Sequence, residues 1–223
     1  MEFLNGGSLE WHLENKNFTE KEVVFYSAQI LCGILFLHSK QIIHRDIKLA
    51  NILLDSNGNA KLCDFGFATK ISSRKSRYSY GTECFRSPES YDPHFLSYSL
   101  DFWSFGVCIF NMLTGELPFE NEEMLANDSK LPDLNQTKAK KKSNWISSIY
   151  WTSALVDVKD TYSISKEACD FVSRLLNKNL NERLGNKENN EDIKNDPFFS
   201  SIEWNLLENG LSKPPIKPDV VYI

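Results

Sequence analysis

Residues 42–68 constrain the fold of this chain more than any other stretch, because they predict a tight hairpin between two polar loops. Two short apolar runs, at 51–55 and 60–63, are joined by the sequence SNGN. Asn-Gly is a preferred pair for a turn whose backbone needs positive φ angles. The hairpin therefore holds a loop at 44–51 close to a second loop at 64–66.

Helical periodicity dominates the rest of the chain. Apolar residues recur at helical spacing through 19–40, where Thr19 and Glu22 form a capping-box pattern at the start. Further helices are predicted over 100–113 and from Ser165 onward, where one face is an apolar stripe. The sequence thus predicts a mainly α fold with one small β-hairpin.

Three other segments lack this periodicity. Residues 71–80 are rich in Ser, Arg, Lys and Tyr and predict a loop. Residues 120–164 are polar and lysine-containing, as expected of an insertion. The ending at 214–223, PPIKPDVVYI, is stiffened by proline, and we expect it to run over the surface rather than join the core.

Composition excludes several classes of protein. The formal net charge is −5, and the only dense basic run is KAKKK at 138–142, so we expect no nucleic-acid partner. Five cysteines without a C-x-x-C motif predict neither a disulfide framework nor a zinc site. The apolar stretch at 102–113 is shorter than the 18 residues of a membrane span, and the N-terminal residues do not form a signal peptide. A cytoplasmic or nuclear location is expected, with no transmembrane segment.

The two loops joined by the hairpin carry the side chains that phosphoryl transfer needs. That chemistry uses a carboxylate that orients the attacking hydroxyl, a positive charge near the transferred group, and metal ions on the phosphates. Asp46 can face a hydroxyl, Lys48 can meet a γ-phosphate, and Asn51 and Asp64 can hold a metal. The pattern H-R-D-x-K-x-x-N, then a hairpin, then D-F-G is far more specific than any one of these residues.

On these motifs the chain resembles the protein kinase family, and in particular the large C-terminal lobe of an AGC-group serine/threonine kinase of the protein kinase C type. The resemblance runs through almost the whole chain. The stretches that carry it are, in chain order, MEFLNGGSL, HRDIKLAN, GTECFRSPE, DFWSFGVCIFNMLTGELPF, NERLG and PFFSSIEWNLL. It implies a kinase lobe over 1–199, from the hinge onward, and the start of an AGC-type tail over 200–223.

The resemblance also implies roles for individual residues. Asp46 would be the catalytic base and Lys48 a phosphate contact, while Asn51 and Asp64 would be magnesium ligands. ATP would be the phosphate donor, with Glu2, Leu4 and Leu53 around the purine. Supporting contacts are implied as well, between Thr82 and the pair Asp46 and Lys48, between Glu89 and Arg183, and between Asp101 and the catalytic-loop backbone. His44 is expected to be a packed residue against Phe65 rather than an acid or base.

The chain departs from the kinase pattern in its first residues. Its ten glycines never form G-x-G, so no glycine-rich lid is recognisable, and the small-lobe lysine and glutamate have no counterpart. We expect the chain to be a fragment or a truncated gene model, inactive without a small lobe. The position of the activating phosphate aligns with Tyr78, beside Ser76 and Ser79, where we expect a phosphate added by an upstream kinase to pair with Arg45.

Two functions follow from this pattern. The first is an ATP-dependent, magnesium-dependent kinase that phosphorylates Ser or Thr hydroxyls of protein substrates in signalling. The alternative is a non-catalytic kinase-like module that binds a partner. In the family, acidic residues at three positions bind basic side chains of the substrate. Here these positions are Ser8, Ala50 and Asn111, which predicts a weakened preference for arginine near the target hydroxyl. Regions outside this chain leave a nuclear or peripheral membrane location open.

Overall fold

The computed structural model describes residues 3–72, 80–92, 94–118, 164–186 and 190–218. The predicted insert at 120–164 lies almost wholly outside these residues, as do Glu2, Ser76, Tyr78 and Ser79. Five helices are described: α1 Leu9–Asn15, α2 Glu20–Ser39, α3 Ser99–Thr114, α4 Lys166–Leu175 and α5 Trp204–Glu208. Four short strands accompany them: β1 Ile42–Ile43, β2 Ile52–Leu54, β3 Ala60–Leu62 and β4 Thr69–Lys70.

Helix α2 is the central core helix and begins where the sequence predicts. Thr19 Oγ1 accepts from the backbone N–H of Glu22, and the Glu22 carboxylate accepts from the backbone N–H of Thr19 at 2.7 Å. By length and hydropathy α2, rather than the stretch at 102–113, is the one described helix that could cross a membrane. It is mostly buried against β3 and α3, as a core helix of a globular domain is.

Helix α3 packs between α2 and α4. It ends at Gly115, whose φ of 77° is the left-handed conformation that favours glycine at a helix C-terminus. Gly106 allows α4 to approach closely, because a Cβ at this position would lie 2.9 Å from Cβ of Leu175. The predicted α-helices at 100–113 and after Ser165 are therefore confirmed, and α3 begins one residue earlier.

Two small antiparallel strand pairs position the loops between α2 and α3. Strand β2 pairs with β3 in the register Ile52↔Leu62 and Leu54↔Ala60, which confirms the predicted hairpin. Strand β1 pairs with β4, so the chain on either side of the hairpin is also tied together. A bridge from Ser8 to Leu53 brings the segment before α1 alongside β2.

The extended segment after α5 does not lie wholly on the surface, contrary to the sequence-based expectation. Ile216 is buried in the main hydrophobic core. It packs over the hairpin turn at Gly58, where a Cβ would lie only 1.9 Å from the carbonyl oxygen of Ile216. Tyr26 of α2 donates to the carbonyl of Gly58 at 3.3 Å, so the helix, the turn and the tail form one packed unit.

Candidate active site

Asp101, in the first turn of α3, supports the backbone of the loop that follows β1. It is fully buried, with 0% of its surface exposed. Its Oδ2 accepts from the backbone N–H of His44 at 2.9 Å and from His38 Nε2 at 2.8 Å, and its Oδ1 accepts from the N–H of Arg45 at 2.8 Å. The predicted contact between Asp101 and the catalytic-loop backbone is confirmed.

This support explains an unusual backbone conformation. Arg45 has φ of 68°, in the left-handed region that a non-glycine residue rarely adopts. Such conformations persist where surrounding contacts determine them and occur often at functional sites. Gly81 packs directly against this residue, because a Cβ there would lie 2.5 Å from the carbonyl oxygen of Arg45.

Both ring nitrogens of His44 are used within the protein. The backbone N–H of Asp46 donates to Nδ1 at 3.3 Å, and Nε2 donates to the carbonyl of Cys63 at 3.0 Å. The ring is fully buried and lies 5.1 Å from the ring of Phe65. His44 is therefore a packed residue that fixes the loop, and the expected contact with Phe65 is confirmed.

Asp46 lies at the centre of a polar cluster and is 3% exposed. Its Oδ1 accepts from both the backbone N–H and the hydroxyl of Thr82, each at 2.8 Å. The same hydroxyl accepts from Lys48 Nζ at 2.7 Å, and Nζ lies 3.4 Å from Oδ2 of Asp46. The predicted contact of Thr82 with Asp46 and Lys48 is confirmed.

These contacts set the charge state of Asp46. Burial raises the pKa of its carboxyl, but the side-chain and backbone hydrogen bonds from Thr82, the charge of Lys48 and the amide of Asn51 outweigh burial. The pKa therefore lies below its ordinary value. Asp46 is ionised at neutral pH and accepts hydrogen bonds strongly, which suits it to orient a hydroxyl.

Asn51 completes the cluster from the end of a 3₁₀ turn, Leu49–Asn51, that leads into β2. Its Nδ2 donates to the main-chain carbonyl and to Oδ2 of Asp46, both at 2.9 Å. These two bonds turn the side-chain oxygen Oδ1 away from Asp46. No hydrogen bond to Oδ1 occurs within the described ranges, so this oxygen is available as a ligand.

Asp64 follows the point where β3 meets Asn51. The backbone N–H of Cys63 donates to the carbonyl of Asn51 at 2.9 Å. Asp64 is the residue after Cys63, so this bond places its backbone beside Asn51. Asp64 has a left-handed φ of 58° and is exposed, and its Oδ1 accepts from the N–H of Gly66 at 3.2 Å. Burial, with the charge of Asp64, raises the pKa of Cys63, so its thiol is less readily deprotonated than a free cysteine.

The donor set fits a magnesium ion held jointly with phosphates. Magnesium takes oxygen ligands and is commonly bound by one or two carboxylates together with substrate phosphates. Asn51 Oδ1 and the exposed Asp64 carboxylate are oxygen donors of the kind that magnesium takes, and they lie on adjacent segments of the chain. Among the described residues no cluster of three or more His, Cys, Asp and Glu could hold a metal without a substrate. The site therefore does not resemble a dedicated all-protein cage.

The residues expected around the purine are only partly described. Leu53 is half-buried, whereas its neighbours Ile52 and Leu54 are fully buried, so its side chain leaves the core on the opposite face of β2. Leu4 is also half-buried. Glu2 lies outside the described residues. The purine contacts of all three remain predictions.

Sequence reasoning did not identify the two partners that the structure gives Arg45. Its Nε donates to the carbonyl of Phe67 at 2.6 Å, and its guanidinium lies 4.3 Å from the ring centroid of Tyr80. Burial lowers the pKa of Arg45, and the charges of Tyr80 and Asp101 oppose this effect. The expected pairing of Arg45 with a phosphate stays a prediction, because the positions Ser76, Tyr78 and Ser79 are not described.

The expected ion pair between Glu89 and Arg183 is confirmed. Both nitrogens NH1 and NH2 of Arg183 donate to the two carboxylate oxygens of Glu89, the second at 3.0 Å. Arg183 is buried, its Nε donates to the carbonyl of Asn177 at 2.6 Å, and its guanidinium lies 4.7 Å from the ring of Trp103. This pair fixes the segment after Thr82 to the helical core.

A second supporting residue, His38, was also missed. It is buried at the end of α2, where its Nε2 bonds Asp101 and its ring lies 4.5 Å from that of Tyr98. The only sequence signal was a polar residue at the end of an apolar helix. That signal does not reveal a partner more than sixty positions away.

Comparison with known proteins agrees with this geometry. A family model described as "Protein kinase domain" matches residues 1–199. The chain belongs to the protein kinase family, and the resemblance inferred from its motifs is confirmed.

Individual relatives are similar over nearly the whole chain. Human Protein kinase C delta type is 36% identical over 223 residues, which cover 99% of this chain and 29% of that protein. Ribosomal protein S6 kinase 2 alpha of Xenopus laevis is 38% identical, over 99% of this chain and 28% of that protein. Rhodopsin kinase grk7-a of Xenopus laevis is 36% identical, over 100% of this chain and 38% of that protein. The chain thus spans well under half the length of each relative.

Proposed function

We propose that the protein containing this chain is a serine/threonine protein kinase, which transfers the γ-phosphate of ATP to Ser or Thr hydroxyls of protein substrates. In this proposal residues 1–199 form the C-terminal lobe of the kinase domain, and residues 200–223 begin an AGC-type tail. Family membership supports kinase chemistry in general. The observation that carries the proposal is the cluster in which Thr82, Lys48 and Asn51 all contact the carboxylate of Asp46.

Asp46 would orient the substrate hydroxyl and accept its proton. Its lowered pKa makes it a weak base in the ground state. That is compatible with phosphoryl transfer through a loose transition state, where positioning and electrostatics supply most of the catalysis. The two hydrogen bonds from Thr82 to Oδ1 fix the orientation of the Asp46 carboxylate. The carboxylate therefore needs little reorientation when a substrate hydroxyl binds.

Lys48 would provide the positive charge at the transferred group. Its ammonium is hydrogen-bonded to Thr82 and is part-exposed, which leaves it able to meet a phosphate oxygen. The link through Thr82 couples Lys48 to Asp46, and this three-residue arrangement is the basis on which we assign Ser/Thr specificity.

Asn51 Oδ1 and Asp64 would hold magnesium, and Leu53, Leu4 and Glu2 would contact the purine of ATP. When bound, the metal neutralises charge on the phosphates. The chain's own part is to keep these ligands in place. Asn51 is fixed by its two bonds to Asp46, and Asp64 is fixed by the strand pairing at Cys63 and by its bond to Gly66.

The proposal includes a cytoplasmic location, protein substrates and an upstream kinase that phosphorylates the segment containing Ser76, Tyr78 and Ser79. A weakened preference for basic substrates is also supported. Ser8 uses its hydroxyl to cap α1 by accepting from the N–H of Trp11, and the Asn111 amide donates to the carbonyl of Glu116. Neither residue offers a carboxylate to an arginine.

One observation favours the alternative, a non-catalytic binding module. Phe65 and Phe67 flank Gly66 beside the proposed metal ligands, and they are 50% and 39% exposed. Apolar side chains that stay accessible next to a cleft are suited to contact another domain or partner. A binding module, however, has no physical requirement for Asn51 and Asp64 to keep oxygen atoms available beside Asp46.

The test is transfer of labelled phosphate from ATP to a protein substrate by the natural full-length protein. We expect transfer that requires magnesium, and we expect Asp64→Asn to lower it about 10²-fold or more, since it removes a ligand charge. Asp170→Asn, an exposed residue on α4, is the matched control and should leave the rate unchanged. No transfer above background would support the binding module instead, whereas magnesium-independent transfer, or equal rates for the two variants, would contradict the role assigned to Asp64.

A further inference from the structure

The segment that follows Tyr80 is held against the carboxylate that would receive the substrate hydroxyl. Thr82 makes two hydrogen bonds to Asp46, and Gly81 packs onto Arg45 with φ of 103°. The 3₁₀ turns Glu83–Phe85 and Pro88–Tyr91 follow at once. A peptide whose hydroxyl reaches Asp46 must therefore place its neighbouring side chains near this segment.

Arg86 is a cation in this segment with a fixed position. Its Nε donates to the hydroxyl of Ser90 and its NH2 donates to the carbonyl of Ser90, each at 3.3 Å. Its guanidinium lies 4.0 Å from the ring centroid of Tyr91. Ser90 is fixed in turn, because its hydroxyl donates to the carbonyl of Ser87 at 2.6 Å. Three contacts thus hold the guanidinium in one orientation.

The same side chain lies on the side of the segment that faces the catalytic loop. Its Cγ is 3.5 Å from the position that a Cβ on Gly81 would occupy, and that position is itself 2.5 Å from the carbonyl oxygen of Arg45. Arg86 is half-buried, so its stem packs inward while part of its guanidinium stays accessible. It is therefore close to the Asp46 loop and reachable by a substrate.

None of these contacts neutralises the charge of Arg86. Ser90 is uncharged, and its two bonds use Nε and one N–H of NH2, so the NH1–NH2 edge of the stacked guanidinium stays open. In the described part of the chain no carboxylate lies within 4.0 Å of it. Glu83 is an exposed acid of the same segment, and its charge and that of Arg86 both act on Tyr91. Arg86 is thus a preorganised cation beside the site that has no ion-pair partner among the residues the structure describes.

We propose that Arg86 selects protein substrates that carry an acidic side chain, Asp or Glu, close to the target hydroxyl. This inference rests on the proposed kinase function and adds its substrate class. A guanidinium binds a carboxylate through two parallel hydrogen bonds, and contacts at Ser90 and Tyr91 remove most of the ordering that such binding would otherwise require. Glu83 would weaken the selection by offering a competing negative charge.

The experiment compares peptide substrates that differ only by Glu, Gln or Lys at each of the three positions on either side of the target serine. The natural full-length protein is used, with kcat/KM measured for each peptide. We expect Glu to be favoured over Gln about tenfold at one position, as for one hydrogen bond to a charged group. The effect should fall on KM, because the pair forms on binding and is not changed by phosphoryl transfer.

Variants at position 86 separate charge recognition from a structural role. Arg86→Gln should bring the Glu-to-Gln ratio close to one, Arg86→Lys should retain part of it, and Arg86→Glu should favour the Lys peptide. Glu83→Gln should raise the ratio. Each of these results is a ratio of kcat/KM between two peptides measured on the same variant. A partly destabilised variant therefore still gives a valid result.

Two results would overturn the inference. If the natural protein phosphorylates the peptides but shows no preference for Glu at any position, or keeps that preference in Arg86→Gln, the substrate class is wrong and the kinase function stands. If it phosphorylates no peptide above the background set by Asp46→Asn, the kinase function and the substrate class both fail.

Discussion

Two buried aspartates in this protein have different surroundings and, in our account, different tasks. Asp101 is fully buried, and its carboxylate accepts from two backbone N–H groups and from His38, which leaves no access for a substrate. Asp46 is 3% exposed, and its partners are Thr82, Lys48 and Asn51. Apart from the backbone N–H of Thr82, these partners are side chains, which in our proposal contact phosphate, metal or substrate.

The comparison teaches that burial of a carboxylate does not by itself indicate catalysis. What distinguishes the two residues is the identity of the donors. Backbone N–H groups cannot be replaced by a substrate without breaking the fold, whereas the side chains around Asp46 come from two segments, Lys48 and Asn51 from its own loop and Thr82 from the segment before α3. We therefore expect a change at Asp46 to affect rate more than stability, and a change at Asp101 to affect stability directly.

The largest expected effect is that of Asp46→Asn on rate. In the natural full-length protein this change should lower kcat about 10³-fold, because a positioned general base commonly contributes ~10²- to 10⁴-fold. The melting temperature should also fall, because the change removes the charge that Lys48 and the amide of Asn51 bind, but by less than in Asp101→Ala. Asp170→Asn serves as the control for loss of one exposed charge. A rate within tenfold of the natural protein would remove the distinction between the two aspartates.

Asp101→Ala should have the next largest effect, on stability. It leaves the backbone donors of His44 and Arg45 and the His38 ring buried without an acceptor, and such a loss is expected to lower the free energy of unfolding by about 3 kcal/mol. Chemical denaturation of the 223-residue chain measures this, with Asp170→Ala as the matched control. A loss below about 1 kcal/mol would mean that other contacts hold the loop.

Thr82 tests the link between Asp46 and Lys48. Thr82→Val removes the hydroxyl that donates to Asp46 and accepts from Lys48, and it should lower kcat/KM about tenfold, equivalent to about 1.4 kcal/mol. Thr82→Ser keeps the hydroxyl and should retain most of the rate. Equal losses in the two variants would show that the methyl group, rather than the hydroxyl, matters here.

The smallest effect is expected at a surface acid. Burial raises the pKa of Glu22, but its bonds to Lys16 and Thr19 outweigh this and place the pKa below its ordinary value. Glu22 therefore adds stability above the pKa of the unfolded chain, and this is lost as pH falls through the folded value. Compared with Glu22→Gln, the natural chain should be more stable by up to about 1 kcal/mol at pH 6.

That difference should shrink as the pH falls below the ordinary pKa of a glutamate, because a protonated Glu22 no longer attracts Lys16. Urea denaturation of both chains across this pH range measures it. A difference that grows as the pH falls would contradict the assigned direction of the pKa.

Local signals in the sequence predicted most of the fold around the site. Thr19 and Glu22 marked the start of α2 because a capping box involves residues only three apart. Asn57 and Gly58 marked the hairpin for the same reason. The motifs also identified Asp46, Asn51 and Asp64. In the structure Asn51 contacts Asp46 directly, and Asp64 lies on the segment that pairs with Asn51.

The features that could not be predicted depend on distant contacts. Ile216 joins the core because Gly58 lacks a side chain at the place where the tail crosses the turn, and proline content alone suggests only an extended surface segment. His38 supports Asp101 across 63 positions, and Tyr80 stacks on Arg45 across a loop. Periodicity and turn propensity contain no information about such pairs.

The most direct test of the central claim is a crystal structure of the natural full-length protein with magnesium and a non-hydrolysable ATP analogue. We predict a magnesium ion within about 2.2 Å of Asn51 Oδ1 and of the Asp64 carboxylate, touching the terminal phosphate, with the Asp46 carboxylate facing that phosphate. A nucleotide bound with its terminal phosphate elsewhere, and with Asn51 and Asp64 coordinating no metal, would contradict the account.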